Sequence, residues 1–147
     1  MPHADTLDPF HLQRFLDAQA STFVQAHSEL AAGQKRSHWM WFIFPQIQGL
    51  GSSSMAQRFA ISGLAEACAY LAHPTLGLRL CECTELVNAI QNRSIEQIFG
   101  HPDDLKFHSS ITLFGRAAAG SDNEAFFTTA LDRYFSGKFD QATLDRL

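Results

Sequence analysis

Positions 12, 16, 19, 23, 26 and 30 follow one another at intervals of three and four residues. They carry Leu12, Leu16, Gln19, Phe23, Ala26 and Leu30, with Phe15 widening the stripe. That spacing is one face of an amphipathic helix. Asp8-Pro9 supplies a capping carboxylate with proline at the first helical position, and Gly33 is a natural stop, so a single helix is expected between them. Ser37 stands where it can cap a short helix over His38–Phe44 that ends before Pro45. That run is apolar on both faces, so a buried strand is the competing reading.

Residues 45–54 hold Gly49, Gly51 and Ser52 to Ser54, and read as a loop. Helical spacing resumes from about Met55 to Ala72, with a break near Ser62-Gly63 and a stop at His73-Pro74. It returns over about Leu76 to Gln91. Ser94-Ile95-Glu96-Gln97 is a capping box for a short turn closed by Gly100. Pro102 starts the next helix, with Asp103 and Asp104 in the first turn, where the helix dipole favours negative charge. Phe107, Ile111, Phe114 and Ala118 form its apolar face, although the run Ser109 to Leu113 also favours strand. Ser121-Asp122-Asn123-Glu124 is another capping box, opening a helix that Gly137 ends, and Asp140 caps a final short one. The prediction is a mainly α fold: one compact domain of six or seven mostly short helices over residues 8–147, after a loose lead-in over 1–7.

Composition narrows the class. A chain of 147 residues with 46% hydrophobic content is enough for one core. The longest apolar run, Trp39–Phe44, falls far short of the ~20 residues that span a bilayer. The N-terminus lacks a signal-peptide pattern, so a cytoplasmic protein with no membrane partner is expected. The net charge of −4 argues against dedicated nucleic-acid binding. Cys68, Cys81 and Cys83 form no C-x-x-C pair, so neither a disulfide framework nor a standard zinc site is indicated. Cys81 and Cys83 point about 200° apart on a helix, and the three read as small buried side chains. No cofactor is implied, and nothing specifies an oligomeric state.

Charge patterning supplies the first candidate site. Between Glu29 and Glu66 there is no acidic residue, while Lys35, Arg36 and Arg58 give the stretch +3. It also contains His38, both tryptophans and the loop Gly49-Leu50-Gly51-Ser52-Ser53-Ser54. Backbone N–H groups and hydroxyls of such a loop suit an anion, arginine offers a planar fork for phosphate, and tryptophan can stack on a base. The loop lacks the lysine of a Walker motif. The competing reading is structural: Lys35 and Arg36 neutralise the C-terminal end of the first helix and the tryptophans fill the core.

The second candidate region is His101 to Thr112. Asp104 and His108 lie at i and i+4 on one helix face, where a carboxylate can orient a general base. A metal reading would use His101, Asp104 and His108. The plainer reading makes the aspartates first-turn dipole partners and the rest a solvated face.

The run Arg36-Ser37-His38-Trp39-Met40-Trp41-Phe42-Ile43-Phe44-Pro45-Gln46 resembles the signature of the small bacterial proteins designated domain of unknown function eighteen-ten. The likeness continues through Asp8 to Phe15, Gly49 to Ser52, Ala69 to Leu80, Ile98 to Lys106 and Ser109 to Phe114, and covers about residues 8–135. The resemblance implies a compact, mainly helical domain and carries no established activity. Its polar motif positions match Arg36, Ser37, His38, Gln46, Asp103, Asp104 and Lys106. A looser similarity, in size, helical content and aromatic–histidine–glutamine flavour, is to the NADAR proteins, small helical enzymes acting on ADP-ribose-type N-glycosides. The acidic residue of that group beside its histidine is absent here, where Ser37 precedes His38.

Two functions compete, and direct RNA binding ranks third, since basic and aromatic residues are interleaved only locally. In the first, the chain binds or hydrolyses a small phosphorylated or nucleotide-derived, ADP-ribose-like ligand. Arg36, Ser37, Gln46, Gly49, Gly51, Ser52 and Lys106 would hold this anionic partner, Trp39 or Trp41 would stack on it, and His38, Asp103 or Asp104 would move protons. In the second, it is a non-catalytic helical adaptor that binds a protein through an exposed aromatic patch. A converged polar cleft favours the first and a flat apolar surface the second. The deciding observation is whether residues 36–54 and 101–112 line one cavity.

Overall fold

The first predicted helix is interrupted at Ser21 and Thr22, where φ opens to −101° and −127°. In the computed structural model, which describes residues 8–147, it is two elements: α1 (Gln13–Ala20) and α2 (Phe23–Ala31). The predicted stripe still faces inward, with Leu12, Gln19, Ala26 and Leu30 buried. Asp8 caps from further back than expected. Its carboxylate accepts the N–H groups of Leu12 at 2.7 Å and Gln13 at 2.9 Å, so Pro9 lies in the turn before α1. The lead-in expected over residues 1–7 lies outside the described residues.

The aromatic run is helical rather than extended, as α3 (Met40–Ile43). The interrupted helix after it forms α4 (Ser54–Arg58) and α5 (Leu64–Ala72), followed by α6 (Leu76–Ala89). The capping box at Ser94 is complete and opens α7 (Ile95–Phe99), and Pro102 precedes α8 (Asp103–Ala117). Then come α9 (Glu124–Phe135) and α10 (Gln141–Leu144), the latter capped by Asp140. The capping box expected at Ser121 does not form: its hydroxyl donates to the Ala118 carbonyl at 2.6 Å. Ten helices among the described residues thus replace the expected six or seven, because two predicted helices are split and the shortest segments are separate turns. The class, mainly α in one compact domain, is as predicted.

Helix α8 is the axis. Every residue from Ser109 to Gly115 is buried, and α3, α5, α7, α9 and α10 pack around it. Gly77 lets α6 start against the preceding helix: a Cβ there would lie 2.8 Å from the Leu71 carbonyl carbon. A chain of rings joins α3 to α7 and α8, with Phe44 edge-on to Phe107 at 5.1 Å and Phe99 stacked on Phe107 at 4.7 Å. This cluster fixes the aromatic run against the N-terminal half of α8. A single bridge between Ile47 and Ile61 closes the base of the segment that carries the glycine–serine loop and α4. The loop therefore leaves and returns beside α8.

Candidate functional site

The two glutamates that bound the acid-free stretch both turn inward. Glu29 is buried and takes five hydrogen bonds. Its Oε1 accepts from the backbone N–H groups of Arg36 at 2.7 Å and Ser37 at 3.0 Å and from the Trp39 indole at 2.9 Å. Its Oε2 accepts from Gln25 at 2.8 Å and from the Ser37 hydroxyl. Burial alone would raise the Glu29 pKa, but these donors outweigh it and hold the carboxyl at about 2. Glu66 pairs with Arg14 at 2.9 Å and accepts from the backbone and hydroxyl of Ser62 at 2.9 and 2.8 Å.

Arg14 uses all five of its donors. Besides Glu66, it serves the carbonyls of Arg58 (2.9 Å), Ala60 (2.8 Å), Phe10 (2.7 Å) and His11 (2.9 Å). Arg14 itself lies outside the acid-free stretch, but with Glu66 it knots the far end of that stretch to α1.

Lys35 extends that knot towards α8. Its ammonium lies 2.9 Å from Asp103, donates to the Ser37 carbonyl and sits 5.1 Å over the Trp39 ring. The other oxygen of Asp103 is 3.3 Å from Lys106, which lies 5.0 Å over the ring of Trp41. One aspartate thus bridges two lysines, each resting on a tryptophan face. Trp39 is fully buried; Trp41 is half-buried and reaches the surface.

Beyond Lys106 is an open cavity of about 520 Å³ between the glycine–serine loop, the first turns of α8 and the start of α10. Trp41, Gln46, Leu50, Gly51, Ser52 and Ser53 line one side, and Leu105, Lys106, His108, Ser109 and Asp140 the other. The two regions singled out in the sequence do meet. His108 stacks on Phe135 with centroids 3.9 Å apart and planes 4° apart, and its Nε2 is 2.8 Å from the Lys138 carbonyl. A carbonyl only accepts, so Nε2 carries the hydrogen in this bond. Asp140 accepts from Ser109 at 3.1 Å and from the Thr143 hydroxyl at 2.7 Å, which anchors α10 to α8. A second recess of about 480 Å³, lined by Gln48, Gly49, Gln57 and Arg146, shares Gly51 and Ser52 with the first.

The sequence candidates divide accordingly. Gln46, Gly51, Ser52 and Lys106 line the cavity, and Gly49 lines the adjoining recess. Ser37 and Trp39 are bound to Glu29, and full burial, with Lys35 over the ring, leaves Trp39 no face for stacking. Arg36 and His38 are exposed and line neither space. Asp103 is engaged by two lysines, while Asp104 pairs with His101 at 3.0 Å rather than with His108. His101, Asp104 and His108 do not converge, and no metal-like cluster of three such ligands occurs among the described residues.

Sequence reasoning missed Arg146 altogether and read Asp140 only as a cap. Neither carries a local signal, because each reaches the site from the far end of the chain. Cys81 and Cys83 are buried as expected, but Cys68 is exposed.

Comparison with known proteins gives a family without an activity. The model of the family described as "Protein of unknown function (DUF1810)" matches residues 9–147. The fold is similar to the crystal structure, at 1.38 Å, of the conserved hypothetical protein Rv1873 from Mycobacterium tuberculosis. That likeness has 55% identity and a TM-score of 0.91, and covers 95% of this chain and 98% of the other. No protein of curated function matches. Among the described residues no helix is long and apolar enough to cross a membrane.

Proposed function

The chain belongs to the DUF1810 family, and from its geometry we propose that it binds a small phosphorylated, nucleotide-derived ligand in the cavity between the glycine–serine loop and α8. The observation that carries this reading is the meeting of the two polar regions in one space, with a half-buried tryptophan, a lysine and neutral donors. The cavity is within the size range of small-molecule sites. Trp41, Leu50 and Leu105 offer an apolar bed for a planar group. Gln46, Ser52, Ser53, Lys106 and His108 offer polar recognition around it.

Binding is favoured over hydrolysis. His38 stands outside the cavity, and Asp103 and Asp104 are occupied by Lys35, Lys106 and His101. The adaptor reading draws little support, because the most exposed large apolar side chains, Val24, Leu78 and Leu105, stand on three different helices.

The test is a thermal-shift screen over nucleotides, ADP-ribose and sugar phosphates, followed by calorimetry on the variants. Lys106→Ala and Trp41→Ala should each weaken the binding of any hit by about ten- to a hundred-fold, the scale of one lost charge-assisted or stacking contact. Arg36→Ala should change neither binding nor folding. A screen without a hit, or a hit indifferent to Trp41 and Lys106, overturns the reading.

A further inference from the structure

We infer that the recess over Gly49 to Ser52 is an anion subsite, with Arg146 as its cation, and that it takes the terminal phosphate of a ligand whose body lies on Trp41. This deepens the function proposed above and rests on it.

The charges divide unevenly between the two adjoining spaces. In the main cavity Lys106 shares Asp103 with Lys35, at 3.3 and 2.9 Å, and Asp140 adds a carboxylate, so two lysines face two carboxylates and Lys106 is only a partly free cation there. The recess contains no acidic residue, and Gln48, Ser52 and Gln57 are its neutral polar lining. Arg146 is its one cation and, among the described residues, makes no ion pair and no side-chain hydrogen bond. The backbone N–H groups of Gly49, Leu50, Gly51 and Ser52 likewise find no acceptor among the described residues. An unpaired guanidinium beside free backbone donors is a setting for an oxyanion. Phosphate, with three acceptor oxygens, fits that number of donors better than carboxylate.

Glycine at 49 is what admits the arginine. Its φ is +93°, and a Cβ would come within 2.7 Å of Arg146 Cζ, so the guanidinium lies directly on the loop backbone. The two spaces share Gly51 and Ser52, so they adjoin across the loop.

The experiment compares AMP with adenosine, a pair that differs only in the phosphate, by calorimetry on wild type, Arg146→Ala, Arg146→Lys and Lys106→Ala. The inference expects AMP to bind wild type ten- to a hundred-fold more tightly than adenosine. Arg146→Ala should erase that ratio while leaving adenosine affinity unchanged, and Arg146→Lys should restore part of it, since a point charge replaces the fork incompletely. Circular dichroism on Arg146→Ala checks that the fold is intact; should that variant unfold, Arg146→Lys carries the test through the same ratio. If AMP and adenosine bind wild type alike, the subsite is refuted and so is the phosphate preference of the proposed function; if the ratio survives in both Arg146 variants but is lost in Lys106→Ala, the subsite alone is refuted and the cavity reading stands. If neither compound binds wild type, the subsite inference is refuted, and the proposed function stands or falls on the thermal-shift screen.

Discussion

Replacing Glu29 by glutamine tests whether the acid-free stretch is organised by a buried carboxylate. The carboxyl is held at about 2, against an ordinary value of 4.5. That gap of about 2.5 units corresponds to about 3 kcal/mol of stability at neutral pH. The sign follows from the direction of the shift. The folded protein binds fewer protons than the unfolded chain between pH 4.5 and 2, so the contribution is complete above 4.5 and disappears as pH falls towards 2. Glutamine keeps one oxygen for the Arg36, Ser37 and Trp39 donors, but turns an NH2 towards Gln25 and the Ser37 hydroxyl and removes the charge. Glu29→Gln should therefore be about 2–3 kcal/mol less stable at pH 7, a drop in Tm of about 5–10 °C for a chain of this size. The difference should shrink steadily on acidification. Urea titrations followed by circular dichroism at pH 7, 4.5, 3.5 and 2.5 measure it, and contributions common to both proteins, such as that of Asp8, cancel. A difference that is already negligible at pH 7, or as large at pH 2.5 as at pH 7, would refute the account.

Further outcomes follow from the same packing. Arg14→Lys retains the charge but has three donors for five acceptors, and should cost about 2–3 kcal/mol in urea denaturation even though Glu66 keeps a partner. Gly77→Ala places a methyl against the backbone of Leu71, which cannot swing aside, so a loss of about 1–3 kcal/mol in the same assay is expected. A thiol-reactive chromophore should label one cysteine per native chain and three after denaturation. Cys68 is exposed, whereas burial pushes the Cys81 thiol up to about 11 and the Cys83 thiol up to about 12. Rapid native labelling of more than one thiol would contradict this.

Where local chemistry decides an element, the sequence reading and the structure agree, with the exception of Ser121, whose hydroxyl is spent on the Ala118 carbonyl instead of capping α9. The Ser94 box, the Asp140 cap and the apolar face of α8 through Phe107, Ile111 and Phe114 are short-range signals, and each is realised. The break between α1 and α2 was not legible, because the hydrophobic stripe runs unbroken across Ser21 and Thr22 and periodicity reports only which face is buried. The helical choice for Met40–Ile43 was not legible either. It is set by rings on α7 and α8, and a six-residue apolar run holds no information about them.

The candidate site was legible as two regions but not as a set of residues, and electrostatics explains why. Counting formal charge along the chain assumes that counter-charges are local. Here the acids that matter are either at the edges of the window and folded under it, as Glu29 and Glu66 are, or far along the chain, as Asp103 is. Lys35 belongs to Asp103, and the Arg36 guanidinium reaches only Gln34, at 3.3 Å, on the exposed face. The cations left to the two spaces are Lys106 and Arg146, and neither lies in the acid-free stretch. What that stretch contributes is the absence of carboxylates. The loop from Gly49 to Ser53 can lie under a guanidinium without neutralising it. Inserting one acid tests this directly: Gln48→Asp or Ser52→Asp should pair with Arg146 and stabilise the free protein by about the few tenths of a kcal/mol of an exposed ion pair, read as a small rise in Tm. The same substitution should reduce AMP affinity towards that of adenosine. If affinity for AMP is unchanged by an acid in the loop, the lack of carboxylates there has no bearing on ligand binding.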